Sequence, residues 1–127
     1  GAALDYLNGL GLDRIHAWEQ QLTAHLFARL EAIEGLRILG PTPQQQPDRG
    51  ALAAFSVAGL HANDLAELLD SAGICIRSGH HCTQPLHRHY GLAASARASL
   101  SFTTTLEEID RFAEELIGAI AFLREHS

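Results

Sequence analysis

Arg97–Leu123, RASLSFTTTLEEIDRFAEELIGAIAFL, changes its hydrophobic period partway along. In its first six residues Ala98, Leu100 and Phe102 alternate with Arg97, Ser99 and Ser101, the period-two pattern of a half-buried strand. Thr105 and Glu108 then stand at capping-box spacing. Beyond them Ile109, Phe112, Leu116, Ile117, Ile120 and Leu123 recur every three or four residues, as on one face of a helix. A strand that runs through a short polar turn into an amphipathic helix points to a mixed fold in which helices cover a sheet.

Working outward, Ala51–Val57 is the next strand candidate, with Ala53, Phe55 and Val57 on one face, and Leu36–Leu39 another. Between them Pro41–Gly50 holds three prolines and a glutamine triplet and reads as an exposed loop. Upstream, Ile15, Trp18, Leu22, Leu26, Leu30 and Ile33 mark a long helix over Asp13–Glu34, stopped by Gly35. Residues 2–10 form a shorter apolar helical piece. Asn63 is the expected N-cap of a helix through Leu65, Leu68, Leu69 and Ala72 that closes at Gly73. Ile74–Arg77 reads as a short buried strand and Ser78–Gln84 as a loop. Pro85 opens a small helix that ends before Gly91. The expectation is one α+β domain over residues 1–127, with a small, largely antiparallel sheet covered by helices. Residues 1–34 would be connecting and long helices, and 36–127 a sheet-and-helix body carrying loop 78–84.

Size and composition fit that reading: 127 residues, 46% hydrophobic and 19% charged. A net charge of −6 without a basic run argues against nucleic acid and anionic membrane as partners. No apolar stretch approaches a membrane span, and no signal peptide opens the chain. Two cysteines make no disulfide framework, so a reduced, cytoplasmic setting is the default. The absence of methionine suggests a piece of something longer. The absence of lysine, all nine basic residues being arginine, means that no side chain here can form a Schiff base.

The segment richest in chemistry is Arg77-Ser78-Gly79-His80-His81-Cys82-Thr83-Gln84-Pro85-Leu86. A thiol on a glycine-bearing loop beside an arginine and two histidines suits a reactive cysteine, because positive charge favours the nucleophilic thiolate. The plainer alternative is a surface thiol among incidental histidines. Cys75, between Ile74 and Ile76, is expected to be a buried, inert core residue. Metal binding competes for the same segment, since His80, His81, Cys82, His87 and His89 crowd ten residues. The spacing lacks the paired ligands of a structural zinc site, however, and no metal is expected. Arg97 has only small polar neighbours on its strand face. It fits either a carboxylate or phosphate brought in from outside, or a salt bridge to a distant acid.

Residues 77–86 resemble the active-cysteine motif of group II, SUF-type cysteine desulfurases. Arg97-Ala98-Ser99-Leu100, fifteen residues past Cys82, resembles the family's Arg-Ala-Ser segment. Gly59–Asp70, with His61 and Asp64, and Leu4-Asp5-Tyr6-Leu7 fit as well. The resemblance implies the C-terminal small domain of a fold-type-I pyridoxal-phosphate enzyme, separated from the large domain that holds cofactor and lysine. It implies that Cys82 takes sulfur from L-cysteine as a persulfide, releasing L-alanine, for iron–sulfur cluster assembly, with selenocysteine as an alternative substrate. It further implies substrate-binding roles for Arg97 and Arg77, and motif positions for His80 and His81 that tune the loop or its thiol. Pyridoxal 5'-phosphate would belong to the full-length homodimer and not to this chain. A SufE-like sulfur acceptor would be the partner, in the cytoplasm or, in a eukaryote, a plastid. Thr103-Thr104-Thr105 departs from the family's Tyr-Asn-Thr, and His61-Ala62-Asn63-Asp64 from its His-Pro-His-Asp. Two other readings of the chain stay open at this point: a free-standing sulfur-carrier or partner-binding domain, and a histidine-rich metal-binding domain.

Overall fold

Leu52–Val57 buries every second residue, with Ala53 and Phe55 fully covered and Val57 nearly so. A computed structural model of the chain, which describes residues 1–126, makes this segment the second strand of a four-stranded sheet. The strands are β1 (Leu36–Leu39), β2 (Leu52–Val57), β3 (Arg77–Gly79) and β4 (Ser95–Ser99), in spatial order β1-β2-β4-β3. Every neighbouring pair is antiparallel, as the alternating strand patterns led us to expect. The helices are α1 (Ala2–Leu10), α2 (Leu12–Glu31), α3 (Ala62–Ser71), α4 (Gln84–Tyr90) and α5 (Leu106–Glu125). None of them is long and apolar enough to cross a membrane.

One core unites Leu22, Leu26, Phe27 and Leu30 of α2 with Leu65 and Leu69 of α3 and Ile109, Phe112 and Leu116 of α5. These side chains pack on Ala53, Phe55, Ala96 and Ala98, so α2, α3 and α5 share one face of the sheet. Alternation along β4 turns Ser95, Arg97 and Ser99 to the opposite face. Two clips hold the rim, one between helices and one on a loop. Asp110 accepts from His25 Nε2 at 2.6 Å and from Arg29 at 3.3 Å, joining α5 to α2. Arg49 lies over the Phe27 ring, 4.5 Å from its centre, and donates to the carbonyls of Pro41 and Leu52, fastening the proline-rich loop.

The local signals for helix ends hold in part. Thr105 caps α5, its hydroxyl accepting from the Glu108 amide at 3.1 Å. Gly91 closes α4 in the left-handed conformation, at φ 72°, where a side chain would be strained. Asn63, however, is not the cap of α3. His61 is, its Nδ1 accepting from the Asn63 amide at 3.1 Å, while the Asn63 side chain accepts from Ser78 Oγ. Ile117 lies outside the buried stripe of α5 and is 48% exposed.

The third strand is displaced from the expected Ile74–Arg77. Ile74 is still occupied in closing α3, its amide donating to Leu69 O at 2.9 Å past Gly73. Pairing therefore begins only at Arg77 and takes in Ser78 and Gly79, which the sequence had suggested were loop. Ile74 and Ile76 pack against the core, and alternation turns Cys75 away from it. Cys75 is exposed, contrary to the expectation of burial. β4 likewise starts at Ser95 and ends at Ser99, short of Phe102, which instead meets Tyr6 of α1 at 6.4 Å between ring centres.

Candidate active site

The turn after β3 is the one place among the described residues where non-glycine residues take positive φ. His81 stands at 51° and Cys82 at 61°, following Gly79 at 123°. Each such residue costs of order 1–3 kcal/mol, so neighbouring bonds must hold the turn. Thr83 closes it, its amide and hydroxyl both donating to His80 O, at 2.8 and 2.7 Å. His81 Nε2 donates to Ser95 O at 3.2 Å and pins the turn to β4. Cys82 sits exposed at its crest.

Below the turn, β3 and β4 set Arg77 directly opposite Arg97. Two like charges facing each other across an antiparallel pair repel, and an anion between them would relieve the repulsion. Arg97 Nε is buried without a hydrogen-bond partner among the described residues. A buried donor left unpaired costs about 1–3 kcal/mol. Of the two readings open for Arg97, a salt bridge to a distant acid is not found among the described residues.

Burial is the main reason that His81 titrates below its ordinary value, and the charges of Arg97, His87 and Arg77 push the same way. Its bond to the Ser95 carbonyl opposes them. The ring is therefore neutral near pH 7, carrying its proton on Nε2 and leaving Nδ1 with a free lone pair. The structure thus gathers Arg77, His81, Cys82 and Arg97 on one side of the sheet. His80 is exposed, its ring 5.6 Å from that of His87. Cys75 does not join the group. It is one of the residues at a cleft of ≈ 250 Å³, with Ile76, Leu100 and Phe112, that contains nothing of residues 77–86.

Among the described residues no three His, Cys, Asp or Glu side chains converge as metal ligands would. Both ring nitrogens of His87 are also engaged, with Thr83 O at 3.0 Å and Ser95 Oγ at 2.8 Å. Sequence reasoning weighed His87 only as one of the crowded candidate metal ligands and gave no role to Thr83 or Ser95. The four-residue interval from Thr83 to His87, at the start of a proline-opened helix, was the available signal.

Comparison with known proteins agrees with the motif. Residues 1–112 match the model of the aminotransferase class-V family. The chain belongs to this family. Among class-V relatives, a probable cysteine desulfurase of Synechocystis is 54% identical over 125 residues, covering 98% of this chain and 30% of the relative. A cysteine desulfurase of Haloferax volcanii is 40% identical over 124 residues, covering 98% and 28%. A solved cysteine desulfurase from Thermococcus onnurineus superposes with a TM-score of 0.85 at 32% identity, covering 92% of this chain and 28% of that one. The Escherichia coli enzyme CsdA, in an S-sulfonic acid form, gives 0.84 at 29% identity, covering 95% and 29%. The class-V chain described here thus spans less than a third of the relatives it matches, and shares the α+β fold of that part.

Proposed function

We propose that this chain is the C-terminal small domain of a SUF-type cysteine desulfurase, with Cys82 as the thiol that receives sulfur. The observation that carries the reading is the pairing of an exposed cysteine on a strained turn with an arginine whose buried Nε lacks a partner. Arg97, with Arg77 opposite, would take the carboxylate of L-cysteine and so place the substrate sulfur near the turn. The sulfur of Cys82 would attack it. A sulfur–sulfur bond forms, the substrate's carbon–sulfur bond breaks, and that carbon keeps the electron pair and gains a proton, giving alanine. His81, neutral and with Nδ1 free, is suited to take the thiol proton. His80 would shape the turn without touching the reacting atoms.

Pyridoxal phosphate, which the resemblance to these desulfurases implies, would supply an electron sink at the substrate's α-carbon. This chain has no lysine to anchor it, so the cofactor's seat is assigned to the rest of the enzyme. The complete enzyme would be a homodimer passing its persulfide to a SufE-like acceptor for iron–sulfur cluster assembly.

The test is sulfur mapping in the full-length parent. Incubation with L-cysteine should release alanine and add one sulfur to the peptide bearing Cys82. Cys82→Ser should end transfer while cofactor binding persists. Sulfur found on Cys75, or transfer surviving Cys82→Ser, would overturn the assignment.

A further inference from the structure

His87 and Ser95 are two of only three buried polar residues among those described, at 4% and 1% exposure. They touch each other beside the Cys82 turn, and the proposed reaction uses neither. Burying an imidazole is costly unless its nitrogens are satisfied. Here both are, and both partners belong to the segments that build the site. Nδ1 lies 3.0 Å from the carbonyl of Thr83, the residue after Cys82, and Nε2 lies 2.8 Å from Ser95 Oγ, two residues before Arg97. A carbonyl only accepts, so Nδ1 carries a proton, and when the ring holds that one proton Nε2 accepts from the Ser95 hydroxyl. The backbone amide of His87 also donates to Thr83 O, at 3.2 Å, so one residue grips one carbonyl twice. His87 is moreover the only buried residue of α4, so this short helix owes its seat to that ring.

We infer that His87 is the positioning residue of the Cys82 turn: aligned by Ser95, its Nδ1–H fixes the Thr83 carbonyl and thereby holds His81 and Cys82 in their left-handed conformation. Its importance for sulfur transfer rests on the proposed role of Cys82; the clamp itself does not. Positive φ at two adjacent non-glycine residues is unfavourable on its own, and the turn's internal bonds reach only from Thr83 back to His80. Outside the turn His81 Nε2 reaches Ser95 O, and the His87 imidazole supplies the second link, from the Thr83 carbonyl to the buried Ser95 hydroxyl.

The experiment compares wild type with His87→Asn, His87→Gln and His87→Leu by NMR. In wild type the ring-nitrogen shifts should report a proton on Nδ1 and a lone pair on Nε2. Asparagine can offer an N–H where Nδ1 stood, and glutamine only where Nε2 stood. Amide exchange at Thr83 should therefore quicken about fivefold or more in the leucine and glutamine variants, the factor carried by one net hydrogen bond, and recover in the asparagine variant. Exchange at Leu69, deep in α3, serves as the reference and should barely move. A ring proton on Nε2, a Thr83 rate equal in all four proteins, a rise that merely follows Leu69, or better protection by glutamine than by asparagine would each overturn the inference. Repeating the series on Cys82→Ser should give the same pattern. The clamp can thus fail while sulfur transfer at Cys82 is upheld, or survive while that reading falls.

Discussion

Cys75 and Cys82 stand seven residues apart and both are exposed, yet their surroundings have opposite character. Cys75 faces Asp70, its sulfur 3.6 Å from Oδ1, in a hollow that Glu67 also lines. Cys82 crowns a left-handed turn pinned to the strand of Arg97, beside a histidine that feels both Arg97 and Arg77. Accessibility therefore does not distinguish the two thiols. Local charge and a backbone conformation that must be held in place do.

The comparison breaks most decisively in the assembled enzyme, through the arginine on one side of it only. Arg97→Ala should cost roughly 2–4 kcal/mol in kcat/KM for cysteine, because the substrate carboxylate would be left unpaired in a cleft. Arg97→Lys should recover part of the loss, since an ammonium lacks the planar fork. Arg111, which donates to Ala72 O at 2.6 Å near Cys75, provides the control, and Arg111→Ala should leave turnover near wild type. Equal losses at the two arginines would show that charge near Cys82 has no special standing.

A smaller effect sharpens the contrast in this chain alone. Iodoacetate is anionic and iodoacetamide neutral, so the ratio of Cys82 to Cys75 labelling should be severalfold larger with iodoacetate at low salt. Added salt should bring the two ratios together. Mass-spectrometric timing of each peptide makes the measurement. A ratio indifferent to reagent charge would mean that the acidic and basic surroundings do not reach the sulfurs.

The smallest expected effect is a pH slope from His81. Its pKa in the fold lies below the ordinary value of about 6.5, so between the two values the unfolded chain binds more protons. Its contribution to stability is then intact above about pH 6.5 and is lost as pH falls through the folded value. Urea midpoints at about pH 7 and pH 5.5 should converge more for His81→Gln than for wild type. An identical acid loss in both proteins would remove His81 as its source.

The fold was largely legible because its signals are local. The alternation of Ala53, Phe55 and Val57 and the cap at Thr105 need no knowledge of distant residues. Errors arose where neighbouring local signals competed for the same stretch of backbone. Ile74 was drawn into the close of α3, which moved β3 by three residues and exposed Cys75. Asn63 lost the cap to His61, whose ring Nδ1 accepts from the backbone amide of Asn63 itself. At the proposed site, Cys82, Arg77 and Arg97 were nominated by residue type and motif. The left-handed angles and the grip of His87 on Thr83 were not, because nothing in composition says that a histidine in a seven-residue helix is buried.

Strand β4 carries two duties on alternate residues. Ala96 and Ala98 face the helices, while Ser95 and Arg97 serve the turn and the arginine pair. Its genetic footprint should therefore have a period of two. In a saturation screen, enlarging Ala96 or Ala98 should deplete the folded protein itself, whereas changes at Arg97 should leave abundance high and remove only what the protein does. Abundance and activity, read separately along five consecutive codons, would trace the pleat of the sheet in phenotype.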